Sequence, residues 1–427
     1  MSGRADEEKY LGKGEKMAVT LKTVVLDSEK CIGCITCMRR CPTEAIRIVN
    51  GKAKILYDKC INCGECVRSC KGGAKRPVYD SFDLVESYKY KIALPSPSLF
   101  GQFNNLDDPN YVIEGLLALG FDEVFEVGLA AELVTDCSKR LMEKKDLVRP
   151  VISTACPAVA ELILLKFHEL ADHMLPVYAP AKIAAKLAKK QAIEKGVPAD
   201  DIGIFFISPC PAKVYSLHKE EVSNEKYISG VLSQSDIYFR LVDKMNKIKN
   251  PRKLGKCGYS GLGWGSSGGE SNSLGLGNYI HCSGVRNVLG LLTEMSDGKL
   301  DGADFVELNM CPGGCVGGVL NVENPFIARN RMRQLAEKMR IPPVTMEDYG
   351  LDESFFIWDK QPAPSTSFRL DSDRFAAMQK LMKVEEYLKK LPGIDCGACG
   401  APTCRCHAED VVVSGGTLDC VKLEERK

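Results

Sequence analysis

The chain has 427 residues, 45% of them hydrophobic, with a formal net charge of +1 and 20 cysteines. That length allows about two to four domains, and so balanced a charge argues against a nucleic-acid footprint. No apolar run reaches the ~18–20 residues of a membrane span, and Met1 to Lys16 is polar and charged without a signal-peptide apolar core. The sequence therefore predicts a cytoplasmic protein. In a small secreted domain so many cysteines would mean disulfides; in a long chain, most of them in C-x2-C clusters, they point to metal.

Residues 1–20 read as a flexible leader, with Met17 a candidate internal start. The next module, 21–80, carries Cys31, Cys34, Cys37 and Cys41 before Pro42, then Cys60, Cys63, Cys66 and Cys70 before Lys71. Twice over this is the C-x2-C-x2-C-x3-C run of bacterial two-cluster ferredoxins, in which the fourth cysteine of each run serves the other cluster. The expected sets are Cys31, Cys34, Cys37 with Cys70, and Cys60, Cys63, Cys66 with Cys41. A zinc ribbon is the poorer reading of two tandem runs of four. Short β-rich pieces at 23–26, 46–49 and 53–56 flank the runs.

From 81 to 360 strand and helix patterns alternate. Strands are expected at 122–127, 150–154, 202–208 and 227–231, and helices at 129–145, 157–169, 179–195 and 235–247. Such alternation argues for βαβ units and parallel sheets. Gly255 to Gly277 is the most glycine-rich stretch, and it lacks the Gly-Lys-Ser/Thr ending of a phosphate loop. Residues 361–370 begin with a Pro/Ser-rich run that reads as a linker, about which the C-terminal residues could move. Residues 371–427 hold a charged helix, 371–390, and then Cys396, Cys399, Cys404 and Cys420. The run Leu391 to Cys404 resembles the small C-terminal [4Fe–4S] module of corrinoid iron–sulfur proteins and some electron-transfer subunits, with Cys406 an extra thiol inside it.

Three segments of the long module carry the chemistry. Ser153-Thr154-Ala155-Cys156-Pro157 and Ser208-Pro209-Cys210-Pro211-Ala212-Lys213 each come after an apolar run, at the end of a strand where open α/β sheets place their sites. The third, Glu307 to Gly318, sets Cys311 and Cys315 among four glycines. Thiolates bind soft metals and clusters, and glycine lets backbone lie against a bulky group.

In chain order the three segments resemble the signature segments of the iron-only, or [FeFe], hydrogenases, and the resemblance covers most of the chain. It implies a catalytic domain of two α/β lobes with mostly parallel sheets. With it stand an α+β ferredoxin-like N-terminal domain and a small helical C-terminal iron–sulfur domain. It implies that Cys156, Cys210, Cys311 and Cys315 hold a [4Fe–4S] cube, and that Cys315 bridges to a diiron subcluster carrying CO, cyanide and a dithiolate amine. Together these are the H-cluster, to which three further [4Fe–4S] clusters are added. Lys213 would hydrogen-bond a cyanide as a fixed cation. Ser208, Pro209, Asn309, Gly314 and the glycine stretch, through Ser266 and Gly268, would line the pocket. The implied reaction is the reversible conversion of H2 into protons and electrons. Implied partners are dedicated maturation proteins and a redox or signalling protein met through surface clusters.

The chain departs from the fast members of the family. Ala155 stands where they carry a proton-relaying cysteine, Ser208 and Asn309 where they carry methionines, and Ser216 where they carry glutamate. That pattern looks like the sensory or regulatory branch and implies slow turnover. An ordinary ferredoxin-linked bidirectional hydrogenase with an unusual proton path is the second reading, for which Glu132 and Asp136 are candidate replacement carboxylates. A cofactor-free iron–sulfur assembly or electron-transfer relative is the third; the retained Lys213 and glycine loop argue against it. Cys137, Cys257, Cys282 and Cys406 read as buried small residues, and the histidines, His281 included, as structural or surface groups.

Overall fold

The computed structural model describes residues 21–424 apart from 145, 220, 221, 301 and 340, so the expected leader lies outside the described residues. In chain order the strands are β1 (Val24–Leu26), β2 (Ile46–Val49), β3 (Lys52–Ile55), β4 (Lys75–Pro77), β5 (Tyr90–Pro95), β6 (Glu123–Val124), β7 (Val151–Ile152), β8 (Ile202–Ser208), β9 (Gly230–Ser233), β10 (Tyr279–Ser283) and β11 (Phe305–Asn309).

In the N-terminal module β1 pairs antiparallel with β4, and β2 antiparallel with β3. Asn50 and Gly51 turn the β2–β3 hairpin with φ of 50° and 72°, the Asn-Gly pairing that a tight two-residue turn selects. Two short helices, Thr36–Arg40 and Glu65–Ser69, carry Cys37 and Cys66.

The long module is built on two parallel sheets. One has the order β6-β5-β8-β9 and the other β10-β11-β7, every pair parallel. β8 is buried along its whole length, which is why its sequence is one unbroken apolar run. Phe205, Phe206, Ile92 and Leu94 form the fully buried centre of the first sheet; truncating Phe206 to alanine would cost about 3–5 kcal/mol. The C-terminal ends of β7, β8 and β11 run directly into the three cysteine segments. The site thus falls between the two sheets, at strand ends, as open α/β sheets favour.

Some elements differ from the sequence expectation. The strand expected at 122–127 is reduced to β6, because the helix Val127–Glu143 begins sooner. The carboxylate of Glu126, just before that helix, is held by the backbone N–H groups of Lys256 and Cys257. The glycine stretch is not one loop: it folds into two short helices, Tyr259–Gly263 and Gly269–Leu274. The linker is pinned, since Ser365 N–H donates to the Leu164 carbonyl at 2.7 Å and the Phe368 ring lies under the Lys59 and Lys166 ammonium groups. The C-terminal module consists of the helices Arg374–Lys390, Cys404–Ser414 and Val421–Glu424. Among the described residues no helix is long and apolar enough to cross a membrane.

Candidate active site and iron–sulfur centres

Cys156 caps the helix Pro157–Lys166, and Cys210 immediately precedes the helix Pro211–Lys219. Each thiol therefore sits at a helix N-terminus, where the partial positive charge of free N–H groups favours thiolate. The Ser208 hydroxyl accepts from Cys210 N–H at 3.3 Å and donates to the Cys210 carbonyl at 3.0 Å, so it shapes that loop. The glycine loop lies directly on it: a Cβ on Gly318 would stand 2.1 Å from the Pro209 carbonyl oxygen. Gly314 has φ of 95°, and a Cβ there would meet Ser266 and Ser267 backbone. Ser208, Pro209, Ser266 and Gly314 thus build the walls from behind.

Between the loops is a cavity of about 40 Å³ bordered by Ala155, Cys156, Lys213, Glu270, Glu307, Asn309 and Cys315. Burial pushes the Cys156, Cys210 and Cys311 thiols up, Cys311 to about 11. Burial alone would lower Lys213, yet the thiolates of Cys315, Cys210, Cys156 and Cys311 hold its ammonium above the ordinary lysine value. The Asn309 side-chain oxygen is buried without a hydrogen-bond partner, an uncommon state that asks for an explanation. Cys156 and Cys315, one cation and one orphaned acceptor border the cavity, and the buried Cys210 and Cys311 share the field of the same Lys213; this donor set fits an iron–sulfur group that extends beyond a cube.

Two carboxylates complete the cavity, and sequence reasoning missed their role. Ser153 Oγ donates to Glu270 Oε2 at 2.5 Å and accepts from Ala155 N–H. Glu307 accepts from Gly268 N–H, Ser271 N–H and Ser271 Oγ at 2.8–3.0 Å. Burial, then the neighbouring Glu307 charge, pushes Glu270 up to about 8. Glu307 is raised by burial too, but the Ser271 and Gly268 donors and the nearby His281 counter it. Of the two, Glu270 is the carboxyl pushed far enough to keep its proton near neutral pH. A glutamate inside the otherwise apolar Phe305–Leu308 run was the available signal. The candidates Glu132 and Asp136 are committed elsewhere. Glu132 accepts from Ser260 Oγ, Gly261 N–H and Val344 N–H, and Asp136 from Met346 N–H and Arg140.

On the other side, Ala155 and Lys213 also border a mostly apolar pocket of about 130 Å³ with Ser216, Leu164, Met174 and Trp358.

The remaining cysteines gather in three groups. Cys31, Cys34, Cys37 and Cys70 border one cavity; Cys41, Cys60, Cys63 and Cys66 a second; Cys396, Cys399, Cys404 and Cys420 a third. The first two are the crossed sets that the spacing implies. Among the described residues no three His, Cys, Asp or Glu side chains converge as one metal ion would require; the thiols surround spaces, as cluster ligands must. Cys137, Cys257, Cys282 and Cys406 border none of these cavities. The ferredoxin module abuts the central loops. Arg68 donates to the Gly317 carbonyl and stands beside Cys311, and a Cβ on Gly64 would press on Val319 and Pro211.

Comparison with known proteins agrees. The family model described as iron only hydrogenase large subunit, C-terminal domain, matches residues 89–252 and 266–319. A 4Fe-4S dicluster domain matches 23–71, and an Fe–S cluster family matches 391–420. The periplasmic [Fe] hydrogenase large subunit of Nitratidesulfovibrio vulgaris is 26% identical over 245 residues, 52% of this chain and 58% of that one. The NADP-reducing hydrogenase subunit HndD of Solidesulfovibrio fructosivorans is 21% identical over 257 residues, 48% of this chain and 44% of that one. The chain thus spans about half the length of the curated relatives it matches. A solved variant of the [FeFe]-hydrogenase HydA1 from Chlamydomonas reinhardtii superposes with a TM-score of 0.51 at 17% identity, over 65% of this chain and 95% of that one; this likeness speaks for the fold alone. With its catalytic-domain family matched over just more than half of its length, its cysteine segments meeting at the ends of parallel strands and a dicluster module against them, this chain belongs to the iron-only hydrogenase family.

Proposed function

We propose that the protein reacts reversibly with H2 at an H-cluster held by Cys156, Cys210, Cys311 and Cys315, with three further [4Fe–4S] clusters passing single electrons. The observation that carries this reading is the group of four thiols around Lys213, two of them, Cys156 and Cys315, bordering a cavity with Asn309, whose side-chain oxygen is orphaned. When bound, such a cofactor supplies the cleavage and formation of H2; the chain supplies ligation, proton handling and exclusion of water.

Lys213 is a fixed cation in this scheme and offers N–H donors into the cavity. Glu270 is the acid–base group. Its carboxyl borders the cavity, is protonated near neutral pH and can exchange that proton through Ser153 Oγ. Glu307, which accepts three hydrogen bonds and pairs in register with His281 of β10, is placed to take a proton onward toward that ring. Pro97, Val127 and Phe206 on the cavity wall keep bulk water from the same space.

The methyl of Ala155 cannot relay a proton, which supports a slow enzyme suited to sensing H2. Glu270 favours the second reading, a metabolic bidirectional hydrogenase whose proton path has moved. Infrared spectroscopy of protein matured anaerobically by the family's maturation proteins tests the reading common to both. Iron-bound CO and cyanide bands are expected; their absence from protein with its full cubane content would overturn it. A native rate matching fast hydrogenases would overturn the sensor role alone.

A further inference from the structure

The C-terminal module is seated on the ferredoxin module by contacts that fix it. β2 pairs on one side with β3, and on its other side Ile48 N–H donates to the Gly400 carbonyl at 2.8 Å. Gly400 has φ of 85°, and a Cβ there would stand 2.2 Å from the Ile48 carbonyl oxygen, so only glycine allows this approach. Buried Arg47 grips Asp410 through two nitrogens at 2.5 and 3.0 Å, the bidentate geometry that makes such pairs strong. Cys406 donates to Glu44 at 3.3 Å, which gives the extra thiol of the module an interface role.

These contacts bring the C-terminal cysteines against the ferredoxin centres. Gly400 is the residue directly after Cys399, and Ile48 borders the cavity of Cys31, Cys34, Cys37 and Cys70. Toward the central site, Gly64 comes directly after Cys63, and a Cβ on it would stand 3.5 Å from Pro211, next to Cys210. We propose that the C-terminal iron–sulfur site is the outermost station of a single electron wire. The wire runs from the central site through the two ferredoxin centres to the C-terminal module, from which electrons leave one at a time. This rests on the iron–sulfur reading of the three outer groups. Each H2 oxidised sends two electrons along it singly, to a low-potential one-electron acceptor such as a viologen, with two protons released at the central site.

The test needs no diiron subcluster, so its failure is separable from failure of the H2 reading. Full-length chain reconstituted with cubanes and reduced with dithionite is examined by electron paramagnetic resonance. In the native chain the C-terminal signal is expected broadened by spin coupling to a ferredoxin centre. Gly400→Val should abolish the coupling while iron content stays unchanged, and limited proteolysis should now release the module. Asp410→Ala, away from the cysteine loop, should weaken the coupling and serves if Gly400→Val loses iron. An uncoupled C-terminal signal in the native chain, or coupling that survives once proteolysis shows the module free, overturns the proposal.

A different observation carries a second inference. Lys75 on β4 is 3% exposed, its ammonium has no hydrogen-bond partner, and it borders the cavity of Cys31, Cys34, Cys37 and Cys70. Its charge also reaches Cys60 and Cys66 of the neighbouring group. A buried cation that stays unpaired is costly unless something anionic faces it. We infer that Lys75 is a shared internal counter-ion that raises the reduction potentials of both ferredoxin centres. Potentiometric titration monitored by paramagnetic resonance should find both potentials lower in Lys75→Met, the Cys31-group centre more so, with Lys75→Arg restoring them. Lys75→Gln replaces the methionine variant if that one fails to hold iron. Unchanged potentials in a variant with full iron content would overturn the assignment.

Discussion

The two walls that meet at Ala155 differ in what they can do with a proton. One carries the Ala155 methyl, Leu164 and Met174 around a mostly apolar pocket, with Glu161, Lys182 and Lys219 also bordering it. Its hydroxyls are turned to backbone carbonyls: Thr154 to Leu175, Tyr178 to Val222, Ser216 to Lys213 and Ser223 to Glu225. The opposite wall carries Glu270, Ser153 and Glu307 in one hydrogen-bonded and electrostatically linked set. In the proposed scheme proton chemistry follows the buried titratable groups rather than the position a motif assigns to it. A chain can lose a relay on one wall and keep the function if the other wall holds an acid in its working range.

The largest effect is expected where both walls meet the cofactor ligands. Cys315→Ala should abolish the CO and cyanide bands and all H2 turnover while the ferredoxin signals persist; surviving bands would mean that the walls enclose something other than the reactive centre. Ser153→Ala sharpens the comparison. It removes one strong donor from Glu270, a loss of about 1.5 kcal/mol or roughly tenfold in rate. Because that donor holds Glu270 down, its removal should also move the alkaline limb of the pH–rate profile upward; an unmoved limb would count against the carboxylate wall. Ala155→Cys restores a thiol on the apolar wall. If the carboxylate wall carries the traffic, the gain stays well below the roughly 10²–10⁴-fold that a positioned acid–base group contributes, and a gain of that full size would break the comparison.

A separate effect is on stability. Glu270 keeps its proton in the fold up to about 8, whereas the same carboxyl in an unfolded chain loses it near its ordinary value of 4.5. Folded protein therefore binds more protons than unfolded protein in that window, and its stability falls as pH rises from about 4.5 through about 8. Thermal melts at pH 5 and pH 8 should show a smaller difference in Glu270→Gln than in the native chain. An equal difference would mean that the carboxyl is not held protonated.

Legibility in the sequence has the same physical basis. Tandem cysteine runs announce their clusters because ligand spacing is local, and β8 announced itself because a strand buried on both faces is apolar throughout. β11 was hidden by Glu307, whose charge interrupts an apolar run that is nevertheless buried. Glu270 was hidden in a stretch read as a glycine loop, since its short helix is set by tertiary packing rather than by local pattern. The seat of the C-terminal module was illegible, because Arg47 and Asp410 stand 363 residues apart. Proline and serine in the tether suggested freedom that Phe368 and Ser365 remove.

The carboxylate wall is tested most directly by Glu270→Gln, which keeps shape and hydrogen bonding but cannot exchange a proton. Native and variant protein, matured to equal CO and cyanide band intensity, are compared for H2 turnover at pH 7. The expected outcome is a fall of roughly 10²–10⁴-fold with the infrared bands unchanged. Turnover equal to native would contradict the account, because the protons would then be passing by the wall that Ala155 occupies.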